Sequence, residues 1–182
     1  MLGDDRVRNF AFMLGGSRAG GTTESLARRA GALSVWSSRV RMVGMTDRDR
    51  NRLGRAAVHY AAADGDVDVL RVLLAEGADP GAADADGWTP LHFAAQAQAP
   101  LVVEALLAAG VTVDAADRHG NTPLWRAVFC SRGEGAVIRL LLEAGADSDR
   151  VNAHGASPRT LADRIANYDV ARHLPGCEET PA

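Results

Sequence analysis

A chain of 182 residues is long enough for one moderate domain, but alanine supplies much of its 47% apolar content and aromatics are only 5%. That balance favours closely packed helices over a bulky globular core. Residues 1–55 carry 11 arginines against five acids, residues 56–182 carry nine against 18, and there is no lysine. The acidic larger part is a poor match for nucleic acid or an anionic lipid surface, and no apolar run is long enough to span a bilayer. Two cysteines, Cys130 and Cys177, are too few for a disulfide framework, so a reducing, cytoplasmic setting is expected.

Residues 1–44 stand outside the pattern that follows. They are expected to form an N-terminal extension, partly disordered, with a strand, a loop and a helix inside it. Arg8–Leu14 reads as a short buried strand, Gly15–Gly21 as a glycine-rich loop, and Thr22 to about Leu33 as a helix. A helix N-terminus behind a glycine loop suits an anion, although Gly21 stands where a Walker loop has lysine. Residues 8–33 resemble the opening of a flavodoxin-like, NADPH-dependent FMN reductase. That resemblance implies that Ser17, Arg18, Thr22 and Thr23 would contact a flavin phosphate. A flavodoxin fold needs several more parallel strands, and none follows, so no cofactor is expected.

From about residue 49 the chain repeats itself. Gly54-Arg55-Ala56-Ala57-Val58-His59-Tyr60-Ala61-Ala62 recurs 33 positions later as Gly87-Trp88-Thr89-Pro90-Leu91-His92-Phe93-Ala94-Ala95, and after 33 more as Gly120-Asn121-Thr122-Pro123-Leu124-Trp125-Arg126-Ala127. Gly155-Ala156-Ser157-Pro158-Arg159-Thr160-Leu161-Ala162 is a worn fourth copy, 35 further on. A second landmark keeps step: Gly77-Ala78-Asp79, Gly110-Val111-Thr112 and Gly145-Ala146-Asp147. Two unrelated words at one period mark a stacked-repeat protein. The first glycine permits a tight turn, Thr89 and Thr122 suit helix caps, and Pro90 and Pro123 suit the first helical turn. Gly110 and Gly145 suit left-handed helix ends.

These words resemble the ankyrin repeat. The resemblance implies an all-α solenoid of about four helix–turn–helix repeats spanning 49–175, with repeats at about 49–81, 82–114, 115–149 and 150–175 and a mobile tail at 176–182. The first and last copies are expected to act as caps. Gln98-Ala99-Pro100 departs from the family's Gly-His at this connection, and Pro100 can open the second helix. The connection Ser131–Gly135 is two residues longer than its counterpart in repeat two and is a candidate for specific contacts. Arg159 stands at a position that is a buried leucine in other copies.

No catalytic or metal site emerges. His59 and His92 hold one position of successive repeats, not one helical turn apart, and no Cys or His pair has zinc spacing. In the ankyrin pattern that histidine ties neighbouring turns together, with the motif's threonine as one partner. Asp79, Asp84, Asp86, Asp114, Asp117, Asp147 and Asp149 recur in loops, where Asp bonds its own backbone. Recognition of another protein remains. The resemblance implies a concave face of loop tips and first helices, on which Asp86, Trp88, Gln96, Arg118, His119, Asn121, Arg126 and Phe129 are the candidate partner-binding residues. Trp88 stands at a tip position that is usually polar. The expected protein is a monomer, not an enzyme, with neither nucleic acid nor membrane as partner. The arginine-only usage suggests a GC-rich bacterial genome, and short bacterial ankyrin-like proteins also serve as immunity factors against toxins, which is the alternative reading.

Overall fold

The computed structural model describes residues 51–165 and 170–175. The expected N-terminal extension, its strand–loop–helix, Ser17, Arg18, Thr22, Thr23 and the C-terminal tail lie outside the described residues. Within them are seven helices: α1 (Ala57–Asp64), α2 (Val67–Ala75), α3 (Pro90–Gln96), α4 (Pro100–Ala108), α5 (Pro123–Cys130), α6 (Ala136–Glu143) and α7 (Pro158–Arg164), followed by a single 3-10 turn, Ala171–His173. Among the described residues there is no strand.

The helices form two rows. In the inner row α1 packs on α3, α3 on α5 and α5 on α7; in the outer row α2 packs on α4 and α4 on α6. Neither helix of a pair could stand alone: each packs on its partner within the copy and on its counterparts in adjacent copies, and helices this short draw their stability from such packing. Val58, Leu91 and Leu124 from the inner row and Leu70, Leu106 and Ile138 from the outer row are fully buried in one continuous seam. The paired alanines Ala61, Ala62, Ala94 and Ala95 are buried between them, where small side chains let the rows approach.

Local chemistry sets the ends of each helix. Pro90, Pro100, Pro123 and Pro158 each occupy the first helical turn, where their missing amide costs nothing. Thr122 Oγ1 accepts from Trp125 N at 3.2 Å, as a cap should. Outer helices end at Gly77, Gly110 and Gly145, all with positive φ. Gln98 takes a left-handed conformation (φ 51°) at the place where repeat one has Gly65. A glutamine there is strained, and its side chain compensates by donating to Ala95 O at 3.0 Å and across the repeat boundary to Ala127 O at 2.9 Å.

The fourth copy closes the stack with polar groups. Arg159, at the leucine position, donates to both carboxylate oxygens of Asp149, to Ser148 Oγ and to Pro175 O. Val170 and Leu174, which flank the 3-10 turn, are buried against the repeats as two apolar anchors.

Candidate recognition surface

The turns before α1, α3, α5 and α7 are built alike. Asn51, Asp84, Asp117 and Asn152 each accept, through Oδ1, the backbone N–H groups two and four residues ahead, at 2.8–3.0 Å. This is the local bonding expected of aspartate in these loops. One backbone hydrogen bond then joins each tip to the next: Ala85 N to Leu53 O, Arg118 N to Asp86 O and Ala153 N to His119 O, each 2.9 Å. The approach is close enough that a Cβ on Gly87 (φ +82°) would lie 3.2 Å from Arg118 N and Asp117 Cα.

Beneath the tips run the two histidines. His92 Nδ1 accepts from Thr89 N at 3.1 Å and faces Thr89 Oγ1 at 2.9 Å, which leaves Nε2 to donate to Asn121 O at 3.1 Å. Threonine is thus a partner of His92, as the motif implies, and the ring ties one turn to the next. Burial holds its pKa below the usual value, despite the opposing bond to Asn121. His59 repeats the pattern without a threonine, bonding Ala56 N and Ala82 O. Both rings are spent on structure.

The inner helices and the turns before them carry a row of cations and rings: Arg55, Phe93, Trp88, Arg126 and Trp125. Arg126, on α5, stands where Tyr60 and Phe93 stand in the preceding copies. Its guanidinium lies 4.2 Å from the Trp88 ring centre and 5.3 Å from that of Trp125, and it donates to Asp117 Oδ2 at 3.0 Å. The Asp117 side chain is fully buried and that of Arg126 is 18% exposed. Burial alone would raise the Asp117 pKa, but bonds from the Asn121 side chain and backbone, from Arg126 and from the His119 backbone outweigh it and bring it below the usual value. One repeat earlier, Arg55 bonds Asp84 at 3.0 Å and covers the Phe93 ring at 4.7 Å. Trp125 stacks on Phe129 at 5.2 Å with an interplanar angle of 12°, and Phe129 is 56% exposed.

A family model described as ankyrin repeats (3 copies) matches residues 58–152, more than half of the chain. The chain belongs to the ankyrin-repeat family. Ankyrin repeats are generally protein–protein interaction modules, and the family is typically non-catalytic. Among the described residues no three or more His, Cys, Asp or Glu side chains come together as a metal site, and no helix is long and apolar enough to cross a membrane.

The ankyrin stack distributes the sequence-predicted residues over three levels. Gln96, Arg118, His119 and Phe129 are exposed, and Asp86 is half-buried and paired to Arg118 at 2.6 Å. Trp88 and Arg126 are half-buried. Trp88 packs on its own surroundings, 5.0 Å from the Phe93 ring and 5.9 Å from His92. Asn121 is a correction. It is buried, donates to Asp117 Oδ2 at 3.0 Å and accepts from Asn152 Nδ2 at 2.8 Å, so its side chain joins turns instead of facing outward. The long connection 131–135 is also tied down: Ser131 Oγ bonds Glu134 O and Gly133 N, and the His173 ring lies so close that a Cβ on Gly135 would overlap it. Trp125, which stands where the two preceding copies have His59 and His92 and was not among the candidate residues, is the platform on which Phe129 stacks. The signal was present in the adjacency of Trp125 and Arg126 at positions aligned with His92 and Phe93.

Proposed function

We propose that this protein is a non-catalytic recognition module that holds another protein on the concave face of its turn tips and inner helices, with Trp125, Arg126 and Phe129 at the centre. The observation that carries this reading is Phe129, a large aromatic 56% exposed yet stacked on Trp125. An aromatic already ordered loses little side-chain entropy on binding, and tryptophan, tyrosine and arginine dominate hot spots, as large rigid anchors do. Asp86, Gln96, Arg118 and His119 supply a polar rim. Trp88 and Asn121 act from below, one by carrying Arg126 and the other by fixing the turn. The acidic body favours a protein over nucleic acid or anionic membrane, and the protein binds as a cytoplasmic monomer.

The test compares capture from an extract of the source cells by the wild-type chain and by Phe129→Ala, with mass spectrometry of what is retained. A partner specific to the wild type should fall about tenfold or more in Phe129→Ala, as hot-spot loss does, while thermal unfolding stays close to wild type. Equal retention of every captured protein by the two chains would reject the surface.

A further inference from the structure

His119 and His154 occupy the same position on successive turn tips, and both are exposed. Their rings stack with centres 6.1 Å apart. The backbone beneath them is fixed twice over: His119 N bonds Asp117 Oδ1 and His154 N bonds Asn152 Oδ1 within the turns, and Ala153 N bonds His119 O between them. We propose that this pair chelates a late first-row divalent metal ion, of the imidazole-preferring class that includes nickel, copper and zinc.

The spacing supports it. An ion held by one nitrogen of each ring at about 2.0–2.1 Å sets the two ring centres roughly 4.5–6.4 Å apart, from right-angled to linear coordination. The observed separation lies within that interval, and the rings, stacked with an interplanar angle of 28°, must turn about their side-chain torsions to aim one nitrogen each at a common ion. Two ligands from this chain leave further coordination positions for water or another donor. The other histidines do not compete: His59 and His92 have both ring nitrogens bonded inside the fold, and His173 Nε2 faces Gly133 O at 3.3 Å. Arg118 opposes the site, because its Nε donates to His119 Nε2 at 3.1 Å while its NH1 bonds Asp86. The ion must displace a guanidinium from that nitrogen or use Nδ1.

The experiment is calorimetric titration of the full chain with nickel chloride at neutral pH in a non-coordinating buffer. The wild type should bind one ion per chain. His119→Ala and His154→Ala should each weaken binding by more than the roughly tenfold that loss of a supporting group costs a metal site, while His173→Ala keeps the wild-type isotherm. Arg118→Ala should bind more tightly, having lost a competing cation and freed Asp86. All four positions lie at the surface or in the last turn, and circular dichroism verifies that each variant is folded. Absence of binding by the wild type, an unchanged isotherm in His119→Ala or His154→Ala, or no tightening in Arg118→Ala would overturn the proposal.

Discussion

Replacing Arg126 by alanine removes three things at once. It deletes a charge-assisted bond to the buried Asp117 carboxylate, worth about 1.5–3 kcal/mol. It deletes the cation between Trp88 and Trp125, worth about 0.5–1 kcal/mol at a partly exposed site. It also deletes Arg126 Nε, a buried donor with no partner among the described residues, whose burial costs the wild type about 1 kcal/mol or more. The balance is a destabilisation of about 1–3 kcal/mol, read from urea titrations in which the slope is unchanged. A second readout separates charge from packing. Asp117 has a folded-state pKa below its ordinary value, so its stabilisation is present above the ordinary carboxylate range and is lost as pH falls through the folded pKa. Without Arg126 that folded pKa rises, and acid unfolding of Arg126→Ala begins at higher pH than in wild type by more than its general loss of stability requires. Arg126→Met keeps most of the apolar contact and should leave the acid effect in place. An Arg126→Ala chain with wild-type urea midpoint and acid limb would refute the account, and full rescue by methionine would refute the role of the charge.

The other predictions concern the turns and the histidine row. His92 has a lowered folded pKa through burial; the unfolded chain therefore takes up a proton first, and stability that is full above about pH 6.5 falls as the solution is acidified. His92→Leu should lose about 2–4 kcal/mol at neutral pH through its unpaired bonding groups and should flatten the pH dependence of melting below that point; parallel profiles would disprove the assignment. Gly87→Ala meets both a left-handed backbone and the next turn, whereas Gly155→Ala has the left-handed backbone alone, with nothing within 4 Å among the described residues. The second should cost about 1–2 kcal/mol and the first clearly more, and the reverse order in urea titration would sink the close-approach argument. Trp88→Ala should lower stability by about 2 kcal/mol, below the cost of a fully buried tryptophan, so an unchanged melting temperature would show that its contacts with Phe93 and Arg126 are idle.

The repeat body was legible because each of its devices is local. Proline at the helix start, glycine at the positive-φ end, Asx at the turn and leucine in the seam each follow from neighbours a few positions away, and the period multiplied them. Leu91 is fully buried, as its place in the motif implies. The recognition face was less legible because it depends on contacts across copies. Nothing within one repeat says that Arg126 rests on Trp88, 38 positions earlier, or that Asn121 reaches Asn152 instead of solvent. The sequence suggests for Trp88 a partner-binding role; its packing against His92, Phe93 and Arg126 gives it a structural role as well. Arg159 reads as a misplaced charge until Asp149, Ser148 and the Pro175 carbonyl are seen around it.

The single main-chain bond between successive tips divides labour between atoms. Peptide groups set the pitch of the edge, so side chains such as Ala85, Ala153 and His154 can be exchanged without loosening the body beneath. Mutation can therefore search for new specificity at these places while foldability, which is secured elsewhere, stays constant. A library randomised at them should keep one common unfolding temperature while its members diverge in what they bind.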